Sequence, residues 1–214
     1  MIIFISDILD AETLSSLRAA ASGLQFDPGA TTAGWHARQV KANAQAAPSA
    51  ALRQLQRQVS DALRRHEVFR AAVQPARLAP PLISRYGPGD SYGWHVDDAV
   101  LGEPPLRSDL SVTLFLSDPE SYAGGELVLQ AADGDEAVKL PAGAAVVYPS
   151  TYLHRVNDVT SGERLAAVTW VQSLIRSTED RTILFELEQA RRAEYDRAGK
   201  TPDFDRLARI HANL

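Results

Sequence analysis

The segment Tyr86-Gly-Pro-Gly-Asp-Ser-Tyr92-Gly-Trp-His95-Val-Asp97 sets a histidine and a carboxylate two residues apart, and His154 and Arg164 follow much later. In an extended strand, residues two apart point to the same side. His95 and Asp97 then supply two ligands of one set, and His154, from a later strand, completes it. Two imidazoles and one carboxylate on one face of an octahedron form the donor set of non-haem Fe(II). Such a face leaves about three positions open, which an enzyme binding an oxidant and a co-substrate needs. Zinc fits less well, because nothing in the sequence supplies the fourth ligand of a closed structural site.

Arg164 opens a strand in which Ala166, Val168, Trp170 and Gln172 share its side. A guanidinium takes a carboxylate through two parallel hydrogen bonds, a geometry that lysine does not reproduce. This is where a dicarboxylate co-substrate would be held. Ala166 is small enough to leave room for it, and the Tyr86 hydroxyl, on the strand leading to the metal, is a second candidate donor. Each residue alone has a plainer reading: His154 as a core histidine on a backbone carbonyl, Arg164 as half of a surface ion pair. Their conjunction, in order, favours the metal. His36, His66 and His211 lack partners at ligand spacing and read as structural. Asp98 reads as a solvent or loop contact, and Tyr92, Trp94 and Tyr152 as pocket wall or core packing.

The elements that must position these groups follow from the pattern around them. Residues 7–22 predict a helix with Asp7 as N-cap and Gly23 as stop, after a first strand in Met1–Asp7 that reads as no signal peptide. A second helix runs from Pro48 to His66, with Leu52, Leu55, Val59 and Leu63 as its stripe. Its arginines between Arg53 and Arg65 read as a solvated face. From 68 to 174 short runs rich in Val, Leu and Tyr alternate with Gly, Pro and Asp. Leu82–Tyr86, Leu110–Leu116, Glu126–Leu129, Ala144–Tyr148 and Arg164–Gln172 are such runs, and they predict a sandwich or barrel and not βαβ units. After Ile175 helix returns, capped by Ser177 with Asp180 and striped by Ile183, Leu184, Leu187 and Ala190. Gly199 stops it, and Thr201-Pro202 starts another with Phe204, Leu207 and Ile210. The expected division is a support region 1–67, a β core 68–176 and a helical extension 177–214.

The chain has 214 residues, 45% hydrophobic, with net charge −5 and no cysteine. Disulfides and thiolate ligands are thereby excluded. The acidic balance, without basic runs, points away from nucleic acid and anionic membrane. No apolar run approaches the ~20 residues of a membrane span. A cytoplasmic location is the expectation.

These residues carry a resemblance. Tyr86–Asp97, Ser111-Val-Thr-Leu-Phe-Leu-Ser117, Tyr122-Ala-Gly-Gly-Glu-Leu127 and Tyr148-Pro-Ser-Thr-Tyr-Leu-His154-Arg-Val156 resemble the Fe(II)/2-oxoglutarate-dependent dioxygenases, most of all their prolyl-4-hydroxylase-related branch. The opening Met1-Ile-Ile-Phe-Ile and the helical tail are similar to the PKHD-type hydroxylases, so the likeness spans essentially the whole chain. It implies a mainly β fold with flanking helices, built on a double-stranded β-helix (jelly-roll) core. It implies Fe(II) on His95, Asp97 and His154, 2-oxoglutarate on Arg164, ascorbate as supporting reductant, and a link to iron homeostasis. The implied reaction hydroxylates a small-molecule or peptidyl substrate with O₂, releasing succinate and CO₂. Loop Asp98–Ser108 is expected to border the entrance and move on substrate binding, and the C-terminal helices to cover an edge or make a homodimer. Two rival readings are a non-enzymatic jelly-roll sensor of iron or 2-oxoglutarate and a nucleic-acid demethylase; the latter would need a basic phosphate groove.

Overall fold

The computed structural model describes residues 1–214 apart from 33, 132 and 133. Strands β1 (Ile3–Ile5), β2 (Phe26–Pro28), β3 (Lys41–Ala42) and β4 (Ala44–Ala46) come from the first quarter of the chain, with helix α1 (Ala11–Ser22) after β1. Helices α2 (Ala50–Arg65) and α3 (Glu67–Val73) precede β5 (Pro75–Leu78), β6 (Leu82–Tyr86) and β7 (Ser91–His95). A small hairpin, β8 (Val100–Leu101) with β9 (Leu106–Arg107), leads to β10 (Leu110–Phe115). Then come β11 (Tyr122–Gly124), β12 (Leu127–Ala131), β13 (Gly134–Val138), β14 (Ala145–Pro149) and β15 (His154–Val156). The strands end with β16 (Val159–Gly162) and β17 (Arg164–Ser173), before α4 (Thr178–Ala198) and α5 (Pro202–Asn213).

Two antiparallel sheets make the jelly roll. The larger runs β1-β14-β10-β17-β6-β4-β2, with β5 also on β17; the smaller runs β13-β12-β15-β7-β3. Side-chain alternation along each strand decides what lies on either face. In β10, Leu110, Val112 and Leu114 enter one core cluster, shared with Leu17 of α1, Leu55 and Leu63 of α2, and Phe69 of α3. In β17, Leu165, Ala167 and Val171 do the same. The intervening residues face the other sheet, where Phe115, Val146 and Tyr148 pack against Leu127, Leu129 and Val156. The helices thus cover one face of the large sheet, and its other face is left to form a cavity with the small one. Because β10 is covered on both faces, all six of its residues are buried.

Several expectations meet their physical limits here. Helix α1 starts later than predicted: Asp10 is the N-cap, its Oδ1 accepting from Thr13 N at 2.7 Å. Asp7 takes a left-handed conformation, φ 56°, and the Leu9 N–H donates to Gly143 O, tying this stretch to the sheet instead. Residues 67–73 are helical where β structure was expected. Seven residues are under two turns, too few for a 3.6 period to outweigh their Val and Phe content. In α4 the buried side chains are Arg181, Leu184 and Glu188, whereas Ile183 and Ala190 are exposed. Both charged groups are paired: Arg181 donates to the carbonyls of Ile175 and Arg176, and Glu188 accepts from Arg191 and Arg192. Ser177 and Thr201 cap α4 and α5 as predicted, accepting from Asp180 N and Phe204 N. Helix α4 lies against α3, and α5 folds back on α4. No helix among the described residues is long and apolar enough to cross a membrane.

The helical layer is held by few, fully buried residues, and Leu63 is one of them, with no exposed surface. Leu63→Ala is expected to lower unfolding free energy by about 2–5 kcal/mol, read from the urea midpoint.

Candidate active site

Three side chains meet across two strands of the small sheet. His154 of β15 pairs directly with His95 of β7, and the two imidazole centroids are 4.1 Å apart. Strand β7 ends at His95, so Asp97 lies just past it, and its Oδ2 sits 3.8 Å from His154 Nε2. Ligand atoms of His95, Asp97 and His154 all lie within 4.8 Å of one another, a group able to hold a metal ion.

The surroundings fix how each would present its lone pair. Nδ1 of His95 is 2.8 Å from the Gly93 carbonyl, and Nδ1 of His154 is 3.0 Å from that of Tyr152. A carbonyl only accepts, so each Nδ1 carries hydrogen and each Nε2 is left as a donor atom for metal. The Ser111 hydroxyl donates to Asp97 Oδ2 at 2.6 Å and stands 2.9 Å from the Ser150 hydroxyl. Burial, followed by repulsion from His154, pushes His95 down to about 4, which keeps it neutral at physiological pH. The ring of Tyr92 stacks on His95, centroids 3.5 Å apart.

On the facing sheet, Arg164 of β17 pairs directly with Tyr86 of β6. Arg164 is 1% exposed, its Nε has no hydrogen-bond partner, and no carboxylate among the described residues reaches ion-pair distance. It lies over two rings, 5.1 Å from the centroid of Tyr86 and 5.4 Å from that of Phe115. Burial pushes the phenol of Tyr86 up, with Arg164 opposing, so the hydroxyl stays protonated and can donate. Space for the arginine stem comes from Gly125: with φ +67°, a Cβ there would stand 3.1 Å from Arg164 Cδ and 2.9 Å from Val159 Cγ2.

One cavity of about 810 Å³, open to solvent, takes in both groups. His95, Asp97, His154, Tyr86 and Arg164 all line it, together with Tyr148, Thr113 and Leu127. Of the three aromatics read as pocket wall or core packing, Tyr92 lines the wall, whereas Trp94 and Tyr152 do not. Trp94 instead carries the Arg155 guanidinium at 4.7 Å, and Tyr152 packs into the inter-sheet cluster. Asp98 makes the loop contact expected of it, facing Gly34 on the rim, and Leu101 of the 98–108 hairpin borders the opening. His36, expected to be structural, stands exposed on the cavity rim. His66 links α2 to α3, and His211 lies 3.8 Å from Glu188. Sequence reasoning missed Thr32, Lys41 and Gln45 on the wall, and the Ser111–Ser150 support, since none has a local spacing that signals a site.

Comparison with known proteins agrees with this architecture. The model of the 2OG-Fe(II) oxygenase superfamily matches residues 81–172. A PKHD-type hydroxylase of Acaryochloris marina is 49% identical over 215 residues, covering 100% of this chain and 97% of that protein. The chain therefore belongs to the PKHD-type hydroxylases, a family of 2-oxoglutarate- and Fe(II)-dependent dioxygenases. Among solved structures, a prolyl-4-hydroxylase from Pseudomonas putida superposes with TM-score 0.53 at 21% identity, covering 80% of this chain and 92% of that one. HygX from Streptomyces hygroscopicus, solved with nickel and 2-oxoglutarate, superposes with TM-score 0.55 at 14% identity, covering 81% and 83%. Both show the same fold.

The serine pair gives a direct test of the triad. Ser111→Ala removes the donor that orients Asp97, and divalent-metal affinity is expected to fall about tenfold or more, measured by Co(II) titration.

Proposed function

We propose that this chain hydroxylates its substrate at the cavity between the sheets, with Fe(II) held by His95, Asp97 and His154, and 2-oxoglutarate anchored by Arg164 and Tyr86. One observation carries the reading: a two-histidine, one-carboxylate face and a buried guanidinium without a counter-ion among the described residues line the same cavity. The residues fit both groups. Both Nε2 atoms are left free by the carbonyls behind them, and the unpaired arginine calls for a carboxylate. When bound, iron and 2-oxoglutarate together supply O₂ chemistry in which one oxygen atom enters succinate, as CO₂ leaves, and the other the substrate hydroxyl.

The chain's own residues do the rest. Asp97 contributes the single negative charge of the face, held in one orientation by Ser111. Arg164 and the protonated Tyr86 fix the distal carboxylate by directed hydrogen bonds. Leu127, Val156, Leu82 and Val168 make the walls apolar, which excludes water and strengthens those bonds. Ascorbate as reductant, a role in iron homeostasis and a cytoplasmic location come with this reading through family resemblance. No observation favours the sensor, and the described residues lining the cavity include no run of basic side chains of the kind a demethylase would need to receive a string of phosphates.

Anaerobic reconstitution with Fe(II) and 2-oxoglutarate is expected to give a visible metal-to-ligand charge-transfer band. Arg164→Ala should weaken 2-oxoglutarate binding at least about tenfold, and His95→Ala should abolish the band and succinate formation in a folded protein. An unchanged titration in Arg164→Ala would remove the anchor assignment.

A further inference from the structure

We propose that Lys41 binds an anionic group of the primary substrate, so that the substrate is an acid with an apolar body; this rests on the function proposed above. Lys41 belongs to β3, which pairs with β7 so that Lys41 lies opposite Tyr92. Its ammonium stands 5.0 Å from the Tyr92 ring centroid, and that ring stacks on His95. The cation is therefore one aromatic ring away from the candidate metal, on the wall of the same cavity.

Its surroundings leave it with a charge to be met. The ammonium donates to Thr32 Oγ1 at 3.2 Å, and no carboxylate among the described residues pairs with it. Partial burial has pushed it down to about 8, with Asp97 opposing, so it is still mainly charged at neutral pH. The formal charges of iron, Asp97, 2-oxoglutarate and Arg164 cancel. Lys41 is the cation left over within the cavity, and Asp98, exposed on the rim, makes no ion pair with it. A ligand that brings one negative charge would complete the balance.

The remaining wall describes the rest of that ligand. Leu82, Val168, Ala37 and Leu101 are apolar, and Trp170 adds an indole face. Trp170 Nε1, buried, has no hydrogen-bond partner among the described residues and offers a second donor in the same cavity. Lysine also suits a site whose ligand arrives and leaves: its point charge does not impose the planar two-bond geometry that Arg164 imposes on a resident carboxylate.

The test uses the full chain loaded anaerobically with Fe(II) and saturating 2-oxoglutarate. The probes are matched pairs of an arylalkanoate and its primary amide: phenylacetate, 3-phenylpropionate and 4-phenylbutyrate with their amides. Binding is followed through the perturbation of the visible band. At least one carboxylate is expected to bind about tenfold more tightly than its amide. Lys41→Met should lose that preference, Lys41→Arg should keep most of it, and neither should change 2-oxoglutarate affinity. The proposal is overturned if no pair shows a preference in the wild-type protein or if the preference survives in Lys41→Met. It also falls if Lys41→Met weakens 2-oxoglutarate itself, or if the carboxylates act by erasing the band, since both outcomes place the anion at the co-substrate anchor. Absence of the band in wild type counts instead against the proposed function. The carboxylate preference is then read from tryptophan fluorescence.

Discussion

A guanidinium with 1% exposure and no counter-ion among the described residues is a costly group for this fold to bury. Removing such a charge from water without a partner costs several kcal/mol even after relaxation. The fold tolerates it because β17 gives Arg164 no alternative. Leu165, Ala167 and Val171 belong to the core beneath the helices, and a one-residue slip would drive them toward the cavity and the arginine into that core. The helical layer therefore does more than cover a sheet: by binding one face of β17, it fixes which residues the other face presents. Gly125 then leaves room for the stem, and the Tyr86 and Phe115 rings provide a partial electrostatic substitute for water.

The metal side is held by a different device. His95 and His154 are register partners, so the small sheet's own ladder sets their spacing. Their tautomers come from carbonyls two residues earlier, Gly93 and Tyr152, which the chain supplies locally. Asp97 falls outside the strand and has no ladder to position it. Of the three proposed ligands it alone takes a support from the opposite sheet, through Ser111 of β10. The contact joins the two sheets at the site itself, so the distance between the sheets and the shape of the ligand set are one constraint.

What could be read from sequence follows from how local each signal is. The strands around Leu82–Tyr86, Leu110–Leu116 and Arg164–Gln172 and the α2 stripe were legible because their pattern repeats over enough residues to be unmistakable. Helix α3 is too short for that, and the start of α1 was misplaced because Ile8 and Leu9 are apolar for a tertiary reason, packing beneath the sheet. Most of the buried face of α4 could not be read, since Arg181 and Glu188 are buried only because carbonyls satisfy the first and arginines on neighbouring turns pair with the second. Among site residues, those in tight motifs meet in the cavity as their spacing suggested. Lys41 and Gln45 sit in no motif, and only the pairing of β3 with β7 and of β4 with β6 brings them there.

That division runs through the cavity itself. The proposed metal face and carboxylate anchor lie between Leu82 and Ser173, where ladder register holds His95, His154, Tyr86 and Arg164, and Ser111 holds Asp97. The opposite wall comes from Thr32, Gly34, His36, Ala37, Lys41 and Gln45, on short turns and two- or three-residue strands that join both sheets. A segment of this kind can change side chains without disturbing either core cluster, because its own residues contribute little to them. The proposed centre of oxygen chemistry and the proposed contact for substrate then lie in separable parts of one chain. The first is fixed by burial and register. The second is free to vary on a scaffold that does not depend on it.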